Sequence, residues 1–122
     1  MNQQDFKPTL TAEEILNYMN RNCPWKNDKA RSAYLNNFST IDRNKHYVLK
    51  EIDISSIVVY FKPHSKRNLN KYIKMIKKGS LPPPIVLGNQ YSNQENIKDG
   101  LHRLEAMKAC GQKTIFAYVE TD

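Results

Sequence analysis

Paired cysteines and clusters of metal-ligating residues are missing from this sequence of 122 residues. Its two cysteines, Cys23 and Cys110, are far apart and form no C-x-x-C pair, and neither has a histidine nearby at the spacing of metal ligands. The pattern argues against a disulfide scaffold and against a structural zinc site. It predicts two reduced thiols.

Long apolar stretches are missing as well. No run approaches the ~20 residues that a membrane-spanning helix needs. The first five residues, Met1–Asp5, are polar and lack the apolar core of a signal peptide. We therefore expect a cytoplasmic protein with no membrane partner.

A chain of this length builds one domain around one modest core.

The charge of the chain points to anionic partners. It has 19 Lys and Arg against 12 Asp and Glu, for a net charge of +7. A basic domain attracts polyanions such as nucleotides, nucleic acids and acidic surfaces, and charge alone does not distinguish among them.

The first third of the chain has the pattern of a helical arm. Thr11-Ala12-Glu13-Glu14 is a capping box, and apolar residues follow at helical spacing up to Pro24, namely Ile15, Leu16, Met19 and Cys23. A second, weaker helix is predicted over residues 29–37. We expect residues 1–46 to form an N-terminal helical extension, available for self-association or for a separate protein partner.

The pattern from residue 47 onward alternates between strands and helices. Short β-rich runs occupy 48–59, and an amphipathic helix follows at 65–78. A proline-rich connector leads into a strand at 85–87, and a return strand is predicted at 95–98. A helix from Leu101 and a last strand at 114–119 follow. This order predicts an α/β (α+β) domain over residues 47–122, with a small mixed sheet flanked by helices.

The turn between the return strand and the following helix has features of an anion site. Gly100 lacks a side chain that would block a phosphate, and the first amides of a helix lie at the positive end of its dipole. Arg103, one turn into the helix, is positioned to grip the same oxygens. His102 would add a donor in a suitable protonation state. We therefore predict that Asp99, Gly100, Leu101, His102 and Arg103 bind phosphate.

A simpler interpretation assigns Asp99 to the cap of that helix, with its carboxylate on the amides that the first interpretation gives to phosphate. If the carboxylate and the phosphate are both present, a Mg²⁺ ion near Asp99 would relieve their repulsion. We expect no structural metal elsewhere.

The motifs of this region resemble those of the ParB/sulfiredoxin superfamily. Asp99-Gly100-Leu101-His102-Arg103, followed by Cys110-Gly111, is similar to the D-G-x-H-R signature of ParB-like N-terminal domains. Pro82-Pro83-Pro84-Ile85-Val86 resembles the family's P-P-I-V-V strand, and Ile52–Ile57 resembles its opening strand. The resemblance covers residues 47–120 and implies a compact ParB/sulfiredoxin-like fold, to which the N-terminal arm is added.

The branches of this superfamily imply different ligands. Partition proteins bind CTP phosphates at a G-E-R-R turn and slide on DNA, whereas this chain has Gly100-Leu101-His102-Arg103. We expect no helix-turn-helix domain and therefore no full partition protein. Sulfiredoxins carry a nucleophilic cysteine in G-G-C-H-R, where this chain has Leu101, so sulfinic acid reduction has no thiol here. Their His-Arg pair faces ATP phosphates.

Free-serine kinases, with D-G-H-H-R, are the most similar branch at this turn. The resemblance implies ATP or CTP with Mg²⁺, and an activity as an ATPase or a small-molecule kinase. The kinases also need a carboxylate base near the first strand, for which Glu51 and Asp53 are the candidates. Arg67 is a further candidate for phosphate contact.

The helix at 65–78 supports a second hypothesis, a DNA-binding accessory protein with or without nuclease activity. Its lysines line the side opposite the apolar stripe and could follow a phosphate backbone, namely Lys66, Lys71, Lys74 and Lys78. A solvated outer face is the alternative for such lysines. The sequence favours the nucleotide hypothesis because the turn is chemically more specific than the lysines.

Overall fold

The computed structural model describes residues 6–22, 43–57, 65–88 and 97–121. Their elements, in chain order, are β1 (Thr9–Thr11), α1 (Ala12–Arg21), β2 (His46–Asp53), a 3-10 turn (Ile54–Ser56), α2 (Lys66–Lys77), β3 (Ile85–Leu87), β4 (Ile97–Asp99), α3 (Leu101–Ala109) and β5 (Thr114–Thr121). None of these helices is long and apolar enough to cross a membrane.

The strands form one mixed sheet in the order β1-β2-β5-β3-β4. The longest pairing joins β2 to β5 antiparallel, from His46 opposite Thr121 to Asp53 opposite Thr114. β5 runs parallel to β3, whereas the outer pairs β1–β2 and β3–β4 are antiparallel. The predicted α/β class with a small mixed sheet is confirmed.

Helices cover both faces of the sheet because side chains alternate along each strand. On β3, Ile85 and Leu87 belong to one core and Val86 belongs to the other. The first core lies under α2 and α3, and its helical members are Tyr72, Ile76, Leu104, Ala106 and Met107. The second core lies under α1, and its helical members are Ala12, Ile15, Tyr18 and Met19.

The N-terminal arm contributes a strand as well as a helix. The predicted capping box is present: the Glu14 amide donates to Thr11 Oγ1 at 3.1 Å, and Glu14 Oε1 accepts from the Thr11 amide at 3.1 Å. The three residues before α1 pair with β2, which the sequence did not predict. The division of the chain at residue 46 stays a prediction, but residues 6–22 pack onto the sheet built by the later residues.

The remaining elements follow the predicted order with small shifts. α2 begins after Ser65, whose Oγ accepts from the Asn68 amide at 3.2 Å, and ends before Lys78 and Gly79. β4 begins two residues later than predicted, and β5 extends two residues further. The second helix expected at 29–37 and the loop before β4 lie outside the described residues.

Candidate functional site

The predicted phosphate turn joins the end of β4 to the start of α3. Asp99 is the last residue of β4, and Gly100, with φ of 109°, is the N-terminal cap of α3. Gly100 has no side chain with which to form a capping hydrogen bond. The cap position of α3 is therefore Gly100 and not Asp99, whose Oδ2 accepts from Arg103 Nη2.

Gly100 is required by packing against β3. A Cβ atom at this position would lie 2.5 Å from Cγ2 of Ile85 and 2.8 Å from its Cβ, far closer than such atoms approach. Its positive φ is a second reason for glycine. From the sequence, the missing side chain of Gly100 is expected to leave room for phosphate. In the structure it leaves room for Ile85.

Arg103 is buried, and its guanidinium bonds to groups of the protein. Its side chain is 3% exposed, and Nη2 donates to Asp99 Oδ2 at 2.8 Å. Nη1 donates to the carbonyl oxygens of Pro83 at 3.2 Å and Pro84 at 3.0 Å. The sequence pattern predicts a direct contact between Arg103 and phosphate. In this geometry that contact would require breaking the ion pair, so we assign Arg103 to holding the turn in place.

Tyr18 of α1 completes this buried network from the other face of the sheet. Its hydroxyl donates to the Pro84 carbonyl and accepts from Arg103 Nη1 at 3.4 Å. Burial raises the pKa of Tyr18 above its usual range, although the Arg103 charge acts in the opposite direction. Sequence analysis missed this residue, although it lies three positions after Ile15 and so falls on the buried side of α1.

His102 connects the turn to the start of α2. Its Nε2 accepts from the Ser65 amide at 3.1 Å. Nε2 is the acceptor in this hydrogen bond, which leaves Nδ1 as the other ring nitrogen able to donate. The expectation that His102 serves as a donor can therefore hold only at Nδ1 in this arrangement.

Two contacts show that α2 and α3 run side by side in the same direction. His102, the second residue of α3, meets Ser65, the cap of α2. Eight residues further along α2, the Ile73 carbonyl accepts from Cys110 Sγ at 4.0 Å, just after the end of α3. Both helices therefore present their N-terminal, positive ends at the same place. We call residues 65–67 and 100–103 the shared N-terminal end.

The shared N-terminal end also carries exposed cations. Lys66 and Arg67 are the first two residues of α2, and both are exposed. Two parallel helix dipoles repel each other at their aligned ends, and a bound anion would offset that repulsion. Arg67, a candidate from the sequence, therefore lies where an anion would be attracted.

The site expected for Mg²⁺ at Asp99 does not fit the ion. The Asp99 side chain is 5% exposed and faces the Arg103 guanidinium, so a divalent cation at this carboxylate would lie next to an existing positive charge. In the part of the chain that the structure describes, no group of three potential ligand side chains occurs.

The two candidate bases lie on the opposite face of the sheet. Glu51 alternates with Tyr47 and Leu49 along β2, and these two belong to the core under α1. Glu51 Oε2 accepts from Thr114 Oγ1 at 2.6 Å. Asp53 follows in the same alternation and is exposed. The structure therefore does not bring these carboxylates to the shared N-terminal end.

Comparisons with known proteins identify a fold. No protein-family model matches the chain, and no match was found among curated proteins. Among solved structures, the crystal structure of sulfiredoxin from Arabidopsis thaliana is similar, with a TM-score of 0.53 and 18% sequence identity over 62% of this chain and 86% of that chain. At this identity the likeness shows the fold alone, and the chain therefore has a sulfiredoxin-like fold.

By the resemblance of the sequence motifs, Leu101 stands in place of a cysteine. It is the first residue of α3, and it is half-buried. The described cysteine, Cys110, caps the far end of the same helix, about 13 Å along its axis. It is too distant to take over a reaction at the shared N-terminal end.

Proposed function

We propose that this chain is a nucleotide-binding domain that holds the phosphates of ATP or CTP at the shared N-terminal end of α2 and α3. The observation that carries the proposal is the contact between His102 and Ser65, which aligns the two helix starts. Backbone amides at two converging N-termini attract an anion more strongly than one helix does. The glycine at the cap of α3 and the exposed Lys66 and Arg67 add to that attraction.

The buried residues have a positioning role in this proposal. Arg103 fixes the turn against the carbonyls before β3 and against Asp99, so the start of α3 is rigid before a ligand arrives. Preorganised donors bind an anion without the cost of ordering them. Binding is proposed rather than phosphoryl transfer, because Glu51 and Asp53 lie on the other face of the sheet.

The binding test compares nucleotides with a ligand that has no phosphate. Calorimetric titration of the wild type with ATP, CTP, ADP and adenosine, each with Mg²⁺ in the buffer, should show an affinity that increases with the number of phosphates. Adenosine should bind at least tenfold more weakly than ATP. Equal affinity for ATP and adenosine would contradict a phosphate site.

A pair of variants on one helix locates the site. Arg67→Gln removes an exposed charge at the start of α2, and Lys77→Gln removes one at its end, about 15 Å away along the axis. Both lose one positive charge. We expect ATP affinity to fall at least threefold in Arg67→Gln and to change less than 1.5-fold in Lys77→Gln. Equal losses would show a response to net charge alone.

A further inference from the structure

One face of α2 carries an unbroken set of cations. Counting the C-terminal cap, seven residues of this helix are exposed. Six of them carry a positive charge, namely Lys66, Arg67, Lys71, Lys74, Lys77 and Lys78. The seventh is Asn70. At about 100° per residue, all seven fall within an arc of about 140°. We call the six cations the basic face of α2.

The basic face has no acidic partner in the helix. The segment from Lys66 to Lys78 contains no Asp or Glu. Within the described parts of the chain, the ion pairs given by the structure are Lys7–Glu14, Asp99–Arg103 and Glu105–Lys108, none of which includes α2. The cations of the basic face therefore act together as one field of positive charge.

The spacing of these charges matches that of a nucleic acid strand. From Lys66 to Lys78 the helix axis advances about 18 Å, which gives one positive charge per ~3 Å. A strand of duplex DNA carries one negative charge per ~3.4 Å of axis. A strand running along α2 would therefore meet cations at about its own charge density.

The composition of the basic face disfavours a membrane surface. Helices that lie in a bilayer interface place large apolar residues beside their cations, and these residues enter the lipid. The exposed positions of α2 are Lys, Arg and Asn, whereas Tyr72 and Ile76 are buried in the core. The exposed side of α2 therefore has no large apolar side chain that could enter a lipid bilayer.

We propose that the basic face of α2 is a docking surface for the sugar-phosphate backbone of a nucleic acid, bound without contacts to bases. The partner contacts Lys71, Lys74, Lys77 and Lys78 along the outer side of the helix, and it reaches Lys66 and Arg67 at the shared N-terminal end. The surface overlaps the proposed nucleotide site at Lys66 and Arg67 and extends beyond it, because four of its six cations lie after the first turn of α2. It does not depend on that site being occupied.

The test uses two triple variants that lose the same charge. Lys71→Gln/Lys74→Gln/Lys78→Gln neutralises half of the basic face and leaves the first turn of α2 intact. Lys7→Gln/Arg21→Gln/Arg43→Gln removes three exposed cations outside α2. Fluorescence anisotropy with a labelled 20-base-pair duplex of mixed sequence, from 50 to 200 mM NaCl, measures the affinity and its salt dependence. Thermal unfolding of each variant confirms that it is folded.

The wild type should bind the duplex with a slope of log affinity against log salt of about −5, the value for six phosphate contacts. The α2 variant should bind at least tenfold more weakly at 50 mM NaCl, with a slope shallower by about 2.7. The control variant should stay within threefold of the wild type, with an unchanged slope.

Three results would overturn the proposal. One is the absence of duplex binding at 50 mM NaCl, and another is an equal loss of affinity in the two triple variants. The third is tighter binding of the wild type to vesicles containing anionic phospholipid than to the duplex under the same conditions.

Discussion

The turn at residues 99–103 and the basic face of α2 both carry cations, and the structure uses them in opposite ways. Arg103 is 3% exposed and bonds to Asp99 and to main-chain carbonyls. The cations of the basic face are exposed and have no acidic neighbour on their helix. The Arg103 side chain therefore holds the fold together, whereas the side chains of the basic face are exposed to a partner.

This difference separates stability from binding. A buried charge that loses its partner destabilises a protein strongly, whereas an exposed charge contributes little to folding. Substitutions in the turn should therefore act on the free energy of unfolding, and substitutions on the basic face should act on affinity for anions.

The largest expected effect is the loss of stability when the buried Arg103 is replaced by methionine. The same substitution at the exposed Arg67 is the control. Arg103→Met leaves the Asp99 carboxylate buried without its partner, and should lower the free energy of unfolding by about 3–5 kcal/mol or abolish the cooperative transition. Arg67→Met should change it by no more than about 0.5 kcal/mol. Urea unfolding followed by circular dichroism measures both. A loss below 1 kcal/mol in Arg103→Met would show that the buried Arg103 stabilises the fold no more than an exposed cation does.

Two glycines with positive φ give the next contrast. Gly100→Ala forces a Cβ into Ile85 and keeps a strained φ, which should cost about 2–5 kcal/mol. Gly79→Ala, just after α2, has the same backbone strain but meets nothing within 4 Å, and should cost about 1–2 kcal/mol. Urea unfolding of the two variants separates the effect of packing from that of the backbone. Equal costs would mean that the turn does not pack on β3 as described.

Loss of the hydrogen bonds between α1 and the turn should have an intermediate effect on the free energy of unfolding. Tyr18→Phe removes a hydroxyl that bonds to the Pro84 carbonyl and to Arg103, and should cost about 1–3 kcal/mol. Tyr118→Phe, which removes a half-buried bond to the Lys7 carbonyl, should cost about 0.5–1.5 kcal/mol. Both values come from chemical denaturation, and the reverse order would contradict the network.

The Tyr18 network also makes a prediction about alkaline pH. Because burial raises the pKa of Tyr18 in the folded chain, ionisation favours the unfolded chain. The contribution of Tyr18 to stability is complete below the unfolded pKa of about 10 and decreases as pH rises above it. The fall in unfolding midpoint between pH 9 and pH 11 should be smaller in Tyr18→Phe than in the wild type.

The smallest effect on stability is expected on the basic face. The triple variant Lys71→Gln/Lys74→Gln/Lys78→Gln relieves repulsion between cations three and four residues apart, and should raise the free energy of unfolding by about 0.2–0.5 kcal/mol. The same chemical denaturation measures it. A loss of more than 1 kcal/mol would show that these lysines have structural partners and would undo the contrast with the turn.

Local sequence signals predicted most of the fold. Three features depend only on residues close together in the sequence, and the structure has all three: the capping box before α1, the apolar stripe of α2 and the short strand Ile85–Leu87. The three-residue strand β1 was missed, since so short a run gives no periodicity and Thr11 also serves as a helix cap. β2 was predicted as broken runs, and its continuous pairing with β5 is a long-range property.

The local structure of the turn was predicted, whereas its long-range contacts were not. The strand, the glycine and the helix at Asp99–Leu101 follow from the local pattern. The burial of Arg103 depends on Tyr18, 85 residues away, and on carbonyls about 20 residues away, so no local pattern reveals it. The meeting of His102 with Ser65 likewise depends on how two helices pack.

The most direct test of the central claim is a titration of the ¹⁵N-labelled wild-type chain with ATP, followed by amide chemical shifts. Phosphate at the shared N-terminal end should shift the amides of residues 65–67 and 100–103, with adenosine causing much smaller changes there. Amides at the far ends of the same helices, at Gly79 and Gly111, should hardly move. Saturable shifts confined to residues elsewhere, or no shifts with any nucleotide, would contradict the account.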